Sequence, residues 1–141
     1  MLPPIARLLG PAGLLPFAGL AIGTWLGWSW AAGALAAYGA TILAFLGAVH
    51  WGLALRAPYS ERGADLARFG LGVLPALVAW VALLLPVASG LVVLAGAILA
   101  TAAVEQIGSR AGLVPDDYLR LRWFLSAGAA GFLLLGAVAL G

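Results

Sequence analysis

The sequence predicts an all-α protein, a polytopic membrane helical bundle of five transmembrane helices with the N-terminus in and the C-terminus out. Three observations lead there. First, 65% of the 141 residues are hydrophobic and only 9% are charged, with a mean hydropathy of +1.12. A soluble domain is about a quarter charged, so water would not cover this surface. Second, the apolar residues fall into five runs, each close to the roughly 20 residues that span a bilayer. Third, the seven basic residues, all arginines, cluster in three regions that a five-span path places on one face.

Each element has its own local signals. Residues 1–9 form a short lead-in containing Pro3, Pro4 and Arg7. The first span covers about 11–28. Pro11 suits a helix start, and Pro16 predicts a bend. Gly19, Gly23 and Gly27 recur every four residues, the spacing of a small-residue face for close helix contact. The apolar run continues into Trp25, Trp28 and Trp30, so this span is expected to be retained rather than cleaved as a leader. A tight turn around Trp28 leads into the second span, about 30–55, which Pro58 prevents from running much further. Residues 57–64 form a polar loop.

The third span, about 65–85, opens on Asp65, a negative charge suited to a helix N-terminus. Pro75, preceded by Gly70 and Gly72, predicts a kink in it. The segment 86–90 makes a second tight turn. The fourth span covers about 91–108, a second polar loop follows, and Pro115-Asp116-Asp117 introduces the fifth span, 117–140. The chain is therefore expected to be a single integral membrane domain, 1–141.

The arginines set the orientation. Arg7 precedes the first span; Arg56, Arg62 and Arg68 surround the loop after the second; Arg110, Arg120 and Arg122 surround the loop after the fourth. The opposite face receives none, so the positive-inside rule puts that arginine face in the cytoplasm. Trp25, Trp28 and Trp30 then form an outer aromatic belt, with Trp51, Tyr59, Tyr118 and Trp123 in an inner one.

Composition also excludes chemistry. Without cysteine there is no disulfide, thiolate metal site or cysteine nucleophile. A net charge of +2 is too small to indicate nucleic acid as a partner. There is no Gly-rich phosphate loop on a strand, no GxSxG elbow and no HExxH pair. One histidine and scattered acids give no metal-ligand spacing. No enzymatic activity, cofactor or metal is expected.

Ionisable groups inside spans are costly and mark the candidate site. His50, the single histidine, lies on the second span beside Trp51. Counting back from it, Gly47, Leu43, Gly39 and Ala36 share its face at helical spacing. Glu105, next to Gln106, continues a stripe of Gly90, Leu94, Ala97, Thr101 and Gly108 on the fourth span. Arg120 and Arg122 occupy the first turns of the fifth. All lie within about two helical turns of the charged loops. The sequence therefore predicts a polar layer in the cytoplasmic half of the bundle, with Arg120 or Arg122 within reach of Glu105. Three uses are open. The groups pair and fix helix packing; they surround an inward-opening pocket for an acidic or quinone-like head group; or they pass protons, since histidine titrates near neutrality.

Several stretches together resemble a known family. They are LLPFAGLAIGTWLG in the first span, AAYGATILAFLGAVHWGLAL in the second, LGVLPALVAWVALLLP in the third and PDDYLRLRWFLSA in the fifth. FLGAVHWG, Phe45–Gly52, is the most specific. The pattern resembles the transmembrane-protein-69-like family, a domain-of-unknown-function group of small bacterial and mitochondrial membrane proteins. The resemblance implies a bacterial inner membrane location and supplies no activity or substrate.

The expectation is a small binding or accessory membrane protein. It would hold a lipid, a quinone or another hydrophobic ligand, a partner membrane protein or a second copy of itself, through His50, Trp51, Glu105, Gln106, Arg120 and Arg122. The alternative is a proton-coupled transporter or conduit. The arginine asymmetry makes a direct prediction: a reporter fused after Gly141 reads as periplasmic, and one inserted at Ser60 or Gly112 reads as cytoplasmic. A cytoplasmic C-terminus would overturn the five-span path.

Overall fold

The computed structural model describes residues 4–56, 65–110 and 116–141, without the side chains of 6, 7, 50–56, 65–69, 71, 108–110 and 116–118. The regular elements among them are α1 (Pro4–Ala12), α2 (Leu14–Trp25), α3 (Ala31–Arg56), α4 (Asp65–Leu84), α5 (Val87–Arg110) and α6 (Asp116–Leu140). Among the described residues, four stretches are long and apolar enough to cross a membrane: Leu8–Trp25, Ala31–Val49, Val87–Ile107 and Leu119–Leu140. In α4 the apolar stretch among them is the shorter Gly72–Leu84.

Burial is inverted relative to a soluble protein. Trp25, Phe45, Leu74, Trp80, Leu84 and Phe124 are exposed, while Thr24, Thr101, Glu105, Arg122 and Ser126 are buried. A bilayer solvates the first set and offers the second nothing, so polar groups gather inside. The all-helical bundle thus fits a multi-pass membrane protein.

The first apolar segment corrects two expectations. Helix begins at Pro4 rather than at Pro11, and the interruption falls at Gly13, three residues before Pro16. Pro16 explains the position. Its ring crowds the carbonyl of the residue four back, Ala12, and its missing N–H costs nothing in the first turn of a new helix. Gly13 N–H still donates to the carbonyls of Leu9 at 3.1 Å and Gly10 at 3.0 Å, while its own carbonyl accepts from Tyr38 Oη on α3 at 2.8 Å. The Phe17 ring meets the same tyrosine edge-on, with centroids 4.7 Å apart.

The Gly19, Gly23, Gly27 series is not a helix-packing face. Gly19 is exposed with open space around its Cα. Gly27 stands outside α2 at φ +83°, a conformation that costs glycine little. Its N–H bonds Thr24 O at 3.1 Å and the Trp28 N–H bonds Gly23 O at 3.0 Å, the paired bonds of a Schellman cap. A Cβ on Gly23 would lie 2.5 Å from the Trp28 ring. The series is thus a turn signal; the buried face of α2 also carries Phe17, Ala21 and Thr24.

α3 is the hub and touches α2, α4, α5 and α6. Its Ala36, Gly39, Leu43 and Gly47 face is buried throughout, as the spacing predicts. At Gly47 the α3 and α4 backbones almost meet, since a Cβ there would lie 2.7 Å from the Gly72 carbonyl oxygen. Gly90 does the same between α5 and α4, where a Cβ would lie 2.5 Å from Ala82 O. α4 remains one helix through Pro75. Leu35, Leu43, Leu91, Leu94, Ile98 and Leu133, all fully buried, fill the space between the helices.

Backbone contact at Gly47 leaves no flexible atom to yield. Gly47→Ala is therefore expected to destabilise by about 1–3 kcal/mol, as overpacking does. Gly96→Ala, with nothing within 4 Å of its Cβ, should be neutral or stabilising, because alanine favours helix. Thermal unfolding in detergent compares them; equal midpoints would refute the close approach.

Candidate functional site

Among the described residues, two side-chain contacts join the C-terminal part of α5 to the N-terminal part of α6. In the first, Arg122 Nε lies 2.9 Å from Glu105 Oε2, and the side chains are 2% and 0% exposed. Arg122 Nη1 also donates to Ser126 Oγ, one turn along α6, at 2.6 Å. In the second, Trp123 Nε1 donates to Gln106 Oε1 at 3.0 Å. The two contacts are adjacent because Glu105–Gln106 and Arg122–Trp123 are neighbours on antiparallel helices of the same pitch. Glu105 lies five residues before the end of α5 and Arg122 six after the start of α6, so both stand about 7–9 Å inside the helix ends.

Of the two arginines within sequence reach, Arg122 makes the contact and Arg120 is exposed. They sit two residues apart, so one helix cannot turn both inward. Glu105 continues the buried Gly90, Leu94 and Thr101 stripe. His50 and Trp51 are on α3, with their side chains outside the described residues, as are the side chains of Arg7, Arg56, Arg68 and Arg110 and the whole of Arg62. Ser126 is the addition that sequence reading missed. A serine four residues after a buried arginine is the signal that would have found it.

The Arg122–Glu105 contact is an ion pair rather than an aligned hydrogen bond. Among the described residues neither Arg122 Nε nor Nη2 has a hydrogen-bond partner, although both are buried. Guanidinium carries five donors in a fixed fork, and here Ser126 takes one bond while Glu105 balances the charge.

Beside this layer lies a cavity of about 170 Å³, with Arg122 the one polar side chain among its described lining residues. Phe17, Ile98 and Ala129 are buried in its wall, whereas Leu9 and Phe45 are exposed at its edge. The sequence predicts a pocket opening inward between His50, Glu105 and an arginine. Glu105, Gln106 and Arg120 do not line this cavity. Its exposed edge is apolar, on the surface that faces acyl chains. The difference follows from the interrupted first helix, whose Leu9, Gly10 and Gly13 build one side of it.

A family model described as a protein of unknown function, DUF3429, matches residues 2–138. The chain belongs to the DUF3429 family. Nothing in that match links it to the transmembrane-protein-69-like group. No curated protein and no solved structure matches the chain. This DUF3429 protein is accordingly a small apolar helical membrane protein whose family supplies no activity, and its chemistry has to be argued from its own side chains.

The ion pair makes a test. Removing one member of a buried pair strands the other, at a cost of about 3 kcal/mol or more. Glu105→Gln should lower the unfolding midpoint, and adding Arg122→Gln should recover a large part of the loss. Additive losses in the double variant would mean that the two residues are not coupled.

Proposed function

We propose that this protein is a five-span binding or accessory protein of the bacterial inner membrane, holding a hydrophobic ligand or a partner membrane protein through its cytoplasmic-side polar layer. In this reading α1 and α2 together make the first span and α4 the third. The N-terminus is cytoplasmic and the C-terminus periplasmic, as the arginine distribution requires.

One observation carries the reading: an apolar cavity beside the membrane-facing surface has a buried arginine in its wall. Ligand sites are apolar hollows with few, well-placed polar groups, and this cavity has that composition. Arg122 is the central residue, with Glu105 and Ser126 holding it. Gln106 and Trp123 tie the next turn. Arg120, exposed at the same level, suits a lipid head group. His50 and Trp51, three and four residues after Gly47 in the sequence, are proposed members of the layer from α3. The finer kinship to the transmembrane-protein-69-like group is part of this proposal. No catalytic activity is proposed.

Mass spectrometry of the protein purified in mild detergent should detect a stoichiometric lipid, quinone or protein partner. His50→Ala should leave the unfolding midpoint within about 1 kcal/mol, the range of non-disruptive changes, and lose that companion. Retention of the companion by the variant would remove His50 from the site. A pH-dependent flux in proteoliposomes, with nothing bound, would favour the transport alternative instead.

A further inference from the structure

The binding reading leaves open which part of a hydrophobic ligand the cavity takes, and its lining narrows the choice. This step rests on that reading. Arg122 stands in the wall, yet it is only 2% exposed, and its Nε and Nη2 are sealed. Nε faces Glu105 and Nη1 donates to Ser126. The guanidinium is turned to protein and shows the cavity almost no polar surface. The break between α1 and α2 could have offered carbonyls instead. Leu9 O and Gly10 O accept from the Gly13 N–H at 3.1 and 3.0 Å, and Gly13 O accepts from Tyr38 Oη at 2.8 Å. The other described lining residues have no polar side chain. A water needs two to four polar partners, and an apolar hollow of this kind stays dry and takes hydrocarbon. A polar head group would be desolvated there without compensation.

Size and depth agree. An engineered apolar cavity of about 150 Å³ accepts benzene, so the ≈ 170 Å³ here suits about six carbons. Within the apolar stretch Leu119–Leu140, Arg122 lies three residues and Ala129 ten residues from the start, roughly 5 and 15 Å along the helix. Half of a bilayer's hydrocarbon core is about 15 Å. The hollow therefore runs from near the edge of the hydrocarbon to its middle. Its exposed edge, at Leu9 and Phe45, is the shallow end. Leu9 is the second residue of the stretch Leu8–Trp25, and Phe45 lies four before the end of Ala31–Val49. A lipid chain descending from its head group takes the same direction.

We infer that this cavity seats the terminal carbons of one acyl chain of a bilayer phospholipid. The chain enters between Leu9 and Phe45, and its head group stays outside at the interface. Filling the hollow gives its lining the dispersion contacts that an empty space forfeits. Acyl chains are also what the open edge meets at the highest concentration, and occupancy follows concentration.

The test is photo-labelling of the full chain in phosphatidylcholine nanodiscs, with adducts mapped by peptide mass spectrometry. Three probes are compared: phosphatidylcholine with a diazirine at the end of one acyl chain, phosphatidylcholine with a diazirine on the head group, and a polyprenyl alcohol with a terminal diazirine. The chain-end probe should label Phe17, Ile98 or Ala129, which are buried from surface lipid, and the head-group probe should not. Ala129→Leu adds three carbons to the wall. It should cut that labelling about tenfold or more, because a close-packed wall leaves no gap of chain width, while labelling of the exposed Phe124 persists. If it does not fold, Leu9→Trp at the mouth decides by the same reduction. Labelling confined to exposed residues, equal labelling of the wall by the head-group probe, indifference to the filling variant, or labelling of the wall by the polyprenyl probe alone overturns the assignment. A co-purified companion together with an unlabelled wall would leave the binding reading standing and remove the acyl-chain site from it. Absence of both companion and wall labelling would end both.

Discussion

A bilayer offers no hydrogen-bond partners, and the interior of this bundle follows from that one constraint. Each buried polar side chain has been drawn to protein. Thr24 Oγ1 and Thr101 Oγ1 donate back to carbonyls one turn earlier on their own helices, Leu20 and Ala97, each at 2.8 Å. Such bonds need no neighbour, so threonine is tolerated almost anywhere on a buried face. Glu105 and Arg122 are different. Neither can be satisfied within its own helix, so α5 and α6 have to lie together in a register that aligns residue 105 with residue 122. The Gln106–Trp123 bond follows from that register. The pair fixes two helices, and fixing them places Arg122 in the wall of the cavity.

Close packing provides the second part of the fold. There is little hydrophobic drive between helices already in lipid, so contact has to come from shape. α3 meets its neighbours where it has no side chain: Gly39 opposite Leu133 on α6, and Gly47 opposite the Gly72 carbonyl on α4. Gly136 of α6 similarly accommodates Leu35 of α3, where an added Cβ would lie 2.5 Å from its side chain. Leucine into glycine on one side and backbone onto backbone on the other bring α3 against α6 and α4.

Much of this was legible in the sequence, and the failures have physical reasons. The Ala36–Gly39–Leu43–Gly47 face and the Gly90–Leu94–Thr101–Glu105 face could be read because helical period and residue size point the same way. Gly19, Gly23 and Gly27 have the same period, yet one is exposed, one accommodates a tryptophan ring and one turns the chain. Period alone cannot separate a packing face from a cap, and the tryptophans that follow were the clue to the turn. The choice between Arg120 and Arg122 was also closed to sequence, since it depends on the rotation of α6. Ser126 was invisible for a simpler reason: a lone serine in an apolar helix reads as a small packing residue until the arginine four positions earlier is known to be buried.

Pro16 links the first helix to the cavity. The Gly13 carbonyl, at the N-cap of α2, accepts from Tyr38 Oη, which anchors α2 to α3 beside the Phe17–Tyr38 ring contact. α1 then continues separately, and its Leu9 and Gly10 complete the cavity opposite Arg122 and Leu125. Gly10 packs close to that wall, since a Cβ there would lie 3.3 Å from the Leu121 side chain and 3.5 Å from Leu125. The cavity is thus bounded on one side by a helix that a proline has divided and on the other by a helix that an ion pair holds in register. Its position in the bundle depends on both.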